Sequence, residues 1–260
     1  MKRMIHMQDV SWRREGIEIL RDIDWTVKRG EHWTVLGLNG AGKTSLLNMV
    51  NGYIWPTTGE VEVLERPFGR TDIHELRKSI GWVSSALGER INGRHPAEEI
   101  VISGKFAAMG LVFEEASPED LRLAEQWMEQ LGVEHAIGQA YEKCSQGERQ
   151  KILIARSLMA NPSLLILDEP TNGLDFIARE ELLSVIENLG KQENAPTIIF
   201  VTHHIEEILP IFSHTILIKD GTVFAKGDRQ SILQSETLST MYDKNLQITW
   251  RNNRPWMSLE

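Results

Sequence analysis

Apolar and polar positions alternate along Ile19–Val27, which reads ILRDIDWTV. A period of two puts Ile23, Trp25 and Val27 on one face and predicts a half-buried strand. Trp33–Leu36 is a shorter apolar strand. A glycine-rich turn follows it, and Lys43–Asn51 then reads as a helix. The rest of the first sixty residues mixes short strand-like runs with turns. From about Ser85 to Ala160 the chain is more polar and helical. Pro96 stands where a helix can begin, with Glu98 and Glu99 in its first turn. Ala97–Phe106 and Pro118–Leu131 both carry helical spacing. From Leu164 strands return: Leu164–Leu167, Thr197–Val201, Thr215–Lys219 and Thr222–Ala225. The helix Phe176–Leu189 and a short helix near Glu206 lie between them. Strands alternating with helices predict an α/β core with a parallel sheet. The expected division is a core of 1–84 and 161–240, a helical insertion over 85–160, and a tail of 241–260. In the tail, Leu246, Ile248 and Trp250 alternate and predict one more short strand; Trp250 and Trp256 are expected to pack back onto the core, with docking of a partner as the alternative.

Composition adds bounds. The chain has 260 residues, 41% hydrophobic and 25% charged, close to globular averages. A formal net charge of -9 gives nonspecific nucleic-acid binding no support. A single cysteine, Cys144, excludes an intrachain disulfide and fits a reduced compartment. No apolar run approaches the ~18 residues that cross a bilayer. The start, MKRMIHMQDV, lacks the apolar stretch of a secretory signal.

Gly37-Leu38-Asn39-Gly40-Ala41-Gly42-Lys43-Thr44 is G-x-x-x-x-G-K-T, with Ser45 next. Its glycines let the backbone curl until successive N–H groups share one concavity. The helix that follows adds its positive end. Lys43 is placed to neutralise β- and γ-phosphate charge, and the Thr44 hydroxyl to ligate Mg²⁺. Strand before and helix after are the context such a loop requires.

Leu164–Leu167 runs into Asp168 and Glu169. An apolar strand of this kind ends on the edge where ligands bind in open α/β sheets. Asp168 can hold the Mg²⁺ shell, and Glu169 can polarise a water. Alone, such a pair is an ordinary cap or loop; the upstream phosphate loop gives it chemistry. A second strand ends in Thr202-His203-His204, where a histidine can meet the γ-phosphate. Neighbours on a strand point to opposite faces, which argues against the two histidines sharing one metal ion. Ser145 and Glu148 have the spacing of a capping box. The same helix start, with Gln146 and Gly147, is also suited to an anion.

These motifs, in this order, resemble the ATP-binding-cassette ATPases from about residue 5 to 230. The resemblance implies a P-loop NTPase core with a mixed sheet, an N-terminal antiparallel β subdomain and a helical insertion subdomain. It makes residues 37–45 the Walker A loop, Leu164–Glu169 the Walker B strand with Glu169 as catalytic base, and His203 the switch histidine. Cys144–Glu148 matches the family signature at Ser145 and Gly147, with Cys144, Gln146 and Glu148 at the other places. Asn172–Asp175 matches the D-loop. Two positions depart from the pattern. The glutamine expected after Ile80–Val83 is replaced by Ser85, whose hydroxyl reaches less far towards Mg²⁺ or water. The aromatic expected to stack on adenine falls near Arg14, so either the Arg14 guanidinium or Trp12 takes that place.

The resemblance implies ATP and Mg²⁺ as ligands, and Mg-dependent hydrolysis of ATP. It implies a partner copy, expected as a homodimer, whose Ser145, Gln146, Gly147 and Glu148 complete the site in trans. It also implies a separate permease docked on Ala86–Phe113, placing the chain in the cytoplasm against the inner face of the membrane. Within the family the chain also resembles, more loosely, ATPases of metal-chelate importers. Two alternatives stand beside transport: a soluble dimer switch acting on another partner, and a P-loop kinase, against which the signature and D-loop argue.

Overall fold

Why the first strands pair as they do is written in their turns. β1 (Arg3–Arg14) and β2 (Ile17–Lys28) run antiparallel. Glu15 and Gly16 between them both take positive φ, 53° and 81°, the backbone of a two-residue hairpin turn. A computed structural model of the chain describes residues 2–84, 88, 90–106 and 116–260. The chain forms two compact units, Met1–Leu76 with Gly190–Glu260, and Arg77–Leu189.

In the first unit β1 also pairs with β4 (Thr58–Val63), which pairs with the short β5 (Arg66–Pro67). These four strands make an antiparallel sheet in the order β2-β1-β4-β5. Ile23, Trp25 and Val27 are buried together, as their alternation predicts. β3 (Trp33–Leu36) is buried at every position and leads into the loop before α1 (Lys43–Val50). The chain then leaves this unit in α2 (Ile73–Lys78), which spans the boundary.

In the second unit β6 (Ile80–Ser84) runs parallel to β7 (Leu164–Asp168), with Ser84 opposite Asp168. Between them come α3 (Ala97–Ser103), α4 (Pro118–Gln130) and α5 (Gln146–Leu158), which pack on one another. The expected helix Ala97–Phe106 is α-helical only to Ser103 and tightens to a 3₁₀ turn over Gly104–Phe106. A close approach accompanies this: a Cβ on Gly104 would lie 1.9 Å from the Arg156 carbonyl oxygen. The Arg156 Nε in turn donates to Ser103 Oγ at 3.1 Å. α6 (Phe176–Gly190) closes the unit. Of the apolar residues on the expected docking segment, Ile100 and Val101 are core, 2% and 0% exposed. Leu111, Val112 and Phe113 lie outside the described residues, as does Ser85.

Back in the first unit, β8 (Thr197–Thr202) and β9 (His214–Lys219) flank β3 in parallel, with Val35 opposite Val201 and Ile216. β10 (Thr222–Asp228) pairs antiparallel with β9 and makes the sheet mixed. β8 is buried at all six positions, the continuous apolar run of a strand covered on both faces. His32, at the foot of β3, fastens this sheet. Its Nδ1 accepts from Ile198 N at 3.0 Å, and its Nε2 lies 3.3 Å from the Gly190 carbonyl. α7 (Arg229–Ile232) and α8 (Ser235–Tyr242) follow. The tail then holds two strands where the alternation predicts one: β11 (Leu246–Arg251) and β12 (Arg254–Leu259) form a hairpin. Pro255 is buried, while Trp256, at 38% exposed, shows much of its ring to solvent.

Among the described residues no helix is long and apolar enough to cross a membrane.

Candidate functional site

β3 delivers the chain into residues 37–42 with its end fixed between β8 and β9. Gly40 and Gly42 then take φ of 82° and 105°, values that L side chains resist. Gly37 is needed for a different reason. A Cβ there would lie 2.5 Å from the Ile218 carbonyl oxygen. The loop is closed on itself by Ala41 N donating to Leu38 O at 3.1 Å, and tied to the β9–β10 turn by Gly221 N donating to Ala41 O at 3.0 Å. Leu38, Asn39 and Gly40 are exposed at its crest.

α1 begins at Gly42 with no side-chain cap and no acidic residue in its first turn. Its positive end is therefore not neutralised by its own sequence. Lys43 is only 6% exposed. Its Nζ donates to the Gly37 carbonyl at 2.7 Å and to Leu38 O at 3.3 Å, so the ammonium is held inside the curl. Thr44 is exposed and Ser45 half-buried on the first turn. A glycine cradle, a positive helix end and a buried ammonium are the features an anion site needs, and the residues present fit a polyphosphate. Within this unit Thr44 presents a hydroxyl oxygen, a hard donor of the kind that suits Mg²⁺.

The other predicted residues of the first unit sit as follows. Trp12 is half-buried in β1 opposite Leu20, and Arg14 is exposed beside the β1–β2 turn. His203 is half-buried just past β8. The strand ends at Thr202, so the opposite-faces argument for the histidine pair does not hold. The rings of His203 and His204 lie side by side, centroids 4.1 Å apart. Even so, among the described residues no group of three or more His, Cys, Asp or Glu is gathered as a metal site. Thr202 governs this segment. Its Oγ1 accepts from His204 N at 3.0 Å and donates to the buried Glu207 carboxylate at 2.6 Å.

In the second unit β7 ends at the half-buried Asp168, and the next residue, Glu169, takes φ of 49°. Asn172 N donates to Glu169 O at 3.1 Å, turning the chain sharply. Asp175 Oδ1 accepts from Ala178 N at 2.9 Å and so caps α6. Signature turn and D-loop come together here: Gln146 Nε2 donates to Asn172 O at 3.1 Å. Gly173 is held close beneath that amide, with φ of 77°.

The capping box at the head of α5 is formed. Ser145 Oγ accepts from Glu148 N at 3.3 Å, and Glu148 Oε2 accepts from Ser145 N at 2.6 Å. A hydroxyl that accepts one bond keeps its own O–H to donate. Ser145 and Gln146 are exposed, Gly147 half-buried. His135 Nε2 lies 2.6 Å from Glu148 Oε1, and this contact, with the Ser145 N–H, holds the Glu148 carboxyl below its ordinary range. Nothing in the sequence marks that histidine, which reaches Glu148 from a separate 3₁₀ turn, Glu134–Ala136. Cys144 is buried beside the box, and burial pushes its thiol up.

A parallel strand feeding a glycine cradle at the head of a helix defines the class of P-loop nucleotide-binding proteins. Residues 20–172, more than half of the chain, match the family model described as ABC transporter. The chain belongs to the ABC transporter ATP-binding family. It is similar to the ABC transporter ATP-binding protein YlmA of Bacillus subtilis (strain 168), 46% identical over 98% of this chain and 97% of that one. An ABC transporter ATP-binding protein of Streptococcus mutans serotype c is 41% identical over 94% of each. The fold is shared with a metal-chelate type ABC transporter in an inward-facing conformation, TM-score 0.79 at 24% identity, covering 100% of this chain and 97% of that one. The chain is thus an ABC ATPase, and ATP hydrolysis is the general reaction of its family.

Proposed function

We propose that this chain hydrolyses ATP between two of its own copies and drives a separate membrane permease. The observation that carries this is the cradle at 37–43, where a buried lysine and an uncapped helix end converge on one concavity. Trp12 or Arg14 covers the adenine, and residues Gly37–Ser45 hold the phosphates. Thr44 and Asp168 would hold Mg²⁺, which would neutralise charge on the phosphate oxygens. Lys43 stabilises negative charge as the γ-phosphate departs. Glu169 orients the attacking water and takes its proton. The water oxygen bonds to the γ-phosphorus as the bond to the bridging oxygen breaks, leaving ADP and phosphate. His203 holds a γ-phosphate oxygen.

The signature turn acts in trans. Ser145 has its lone pair engaged by the capping box, so its O–H is directed outward to a phosphate on the other copy. Gly147 presents backbone beside it, with Gln146 and Glu148 framing the turn and Asp175 opening the following helix. ATP then joins two copies and hydrolysis separates them. Dimeric cassettes among the solved structures with this fold support that reading. The names of the relatives support transport, with the chain seated on the inner face of the membrane.

Glu169→Gln tests the assignment. Expected are unchanged ATP binding, hydrolysis at least about tenfold slower, and a dimer on size measurement with ATP and Mg²⁺. Full turnover with a monomer would remove Glu169 from its role. Ser85 at the position of the usual glutamine favours a second reading, a switch on a non-transport partner. Purification from membranes separates the two, since transport requires a copurifying permease.

A further inference from the structure

The geometry points to the C-terminal hairpin as the device that positions His203, with Arg254 as the positioning residue. This rests on the role given to His203 above. The segment after His203 is short. His204 caps a single 3₁₀ turn, Ile205–Glu207. From within, the turn is gripped by Thr202 through Glu207. From outside, it is gripped by the hairpin, whose second strand packs on it. Both Nε and Nη2 of Arg254 donate to the Glu206 carbonyl, the first at 2.9 Å. A guanidinium placing two charge-assisted donors on one backbone oxygen is a strong and directional tie.

The hairpin is itself rigidly placed. Asn252 and Asn253 have φ of 51° and 58°, a two-residue turn whose twist fixes the strand register. Arg254 is the first residue after it. Buried Arg229 ties the turn to the same segment: its Nη1 donates to Asn253 O at 2.9 Å and to Leu209 O at 3.1 Å. Trp250 lies under the Arg229 guanidinium, 5.3 Å to the ring centroid. The backbone between Glu206 and Leu209 is therefore held at both ends by arginines that the hairpin orients. Ile205, Ile208 and Leu209, at 2%, 0% and 3% exposed, anchor the same segment in the core. Loss of Arg254 leaves the fold of the sheet intact and lets the turn beside His203 drift.

Displacing a catalytic group by about 1 Å can cost up to 10²-fold in rate. Arg254→Ala is expected to lower kcat on the order of tenfold while the ATP KM stays within about twofold. In a His203→Ala background the same change is expected to add nothing, because Arg254 acts through that histidine. A merely structural role would lower kcat in both backgrounds alike. Unchanged kcat in Arg254→Ala, or an equal loss in both backgrounds, overturns the inference and leaves the His203 role standing. Full turnover in His203→Ala alone overturns the His203 role and the inference with it. Should the alanine variant not fold, Arg254→Gln keeps the stem, gives up the charged fork and carries the same comparison.

Discussion

Glu169, the proposed base, sets backbone preference against chemistry. It stands in the left-handed region at φ 49°, where a residue with a Cβ is disfavoured by about 1 kcal/mol or more. Its carboxylate is wanted there because β7 ends one residue earlier and the chain must turn at once. Glycine would relieve the backbone and remove the chemistry. Glu169→Gly is therefore expected to raise unfolding stability by about 1 kcal/mol without nucleotide, while abolishing hydrolysis. Denaturant midpoints with a paired ATPase assay check it, and a lowered midpoint would show that the side chain stabilises the turn. Residue roles that depend on near neighbours were legible in the sequence. Ser145 and Glu148 are three apart, and their reciprocal bonds formed as the spacing implies. His135 was not legible as a partner of Glu148, because only the packing of a separate turn brings it there. The opposite-faces argument for the histidine pair does not apply, because the strand ends at Thr202, before both residues.

At the scale of elements, the parallel strands were legible because buried strands are written as unbroken apolar runs. β1 was not. Its pairing with β2 is interrupted by several register shifts, and Asp9 lies at φ 51°. Each bulge resets the period of two, so RMIHMQDVSWRR never alternates cleanly. β12 begins with Arg-Pro and is largely exposed, so it lacks a hydrophobic signature altogether. His32 shows how an element is fastened by a group that patterns do not reveal. Burial holds its imidazole below the ordinary value of 6.5, partly opposed by the Gly190 carbonyl. The unfolded chain then binds a proton that the folded chain refuses. Stability is full above about pH 6.5 and falls as pH drops from there towards the lowered folded value, by at most about 1.4 kcal/mol per pH unit. His32→Asn keeps an acceptor for Ile198 but cannot titrate. Its unfolding free energy is expected to fall less steeply between pH 7 and 5.5 than that of the unaltered chain. Parallel slopes would show that His32 does not carry this pH dependence.

For the whole molecule, the order of motifs was legible because each is local and the family spaces them along one chain. The compact units gather elements by packing and not by chain order alone: β6, β7 and α6 group with the helical segment. If ATP joins two copies, its effect on stability must follow mass action in two variables. A ligand at 100 times its Kd adds about 2.7 kcal/mol to a one-site protein, roughly 5–10 °C in melting temperature for a chain of this size. That shift is independent of protein concentration unless the ligand also closes an interface. In Glu169→Gln, where hydrolysis cannot release the pair, the ATP-induced shift is expected to grow as protein concentration rises. With ADP it is expected to stay constant. Lys43→Ala is expected to lose most of the ATP shift at any concentration, measured against its own melting temperature without nucleotide. Melting curves over a hundredfold range of protein concentration decide between a cassette that merely binds ATP and one for which ATP is the joint between two copies.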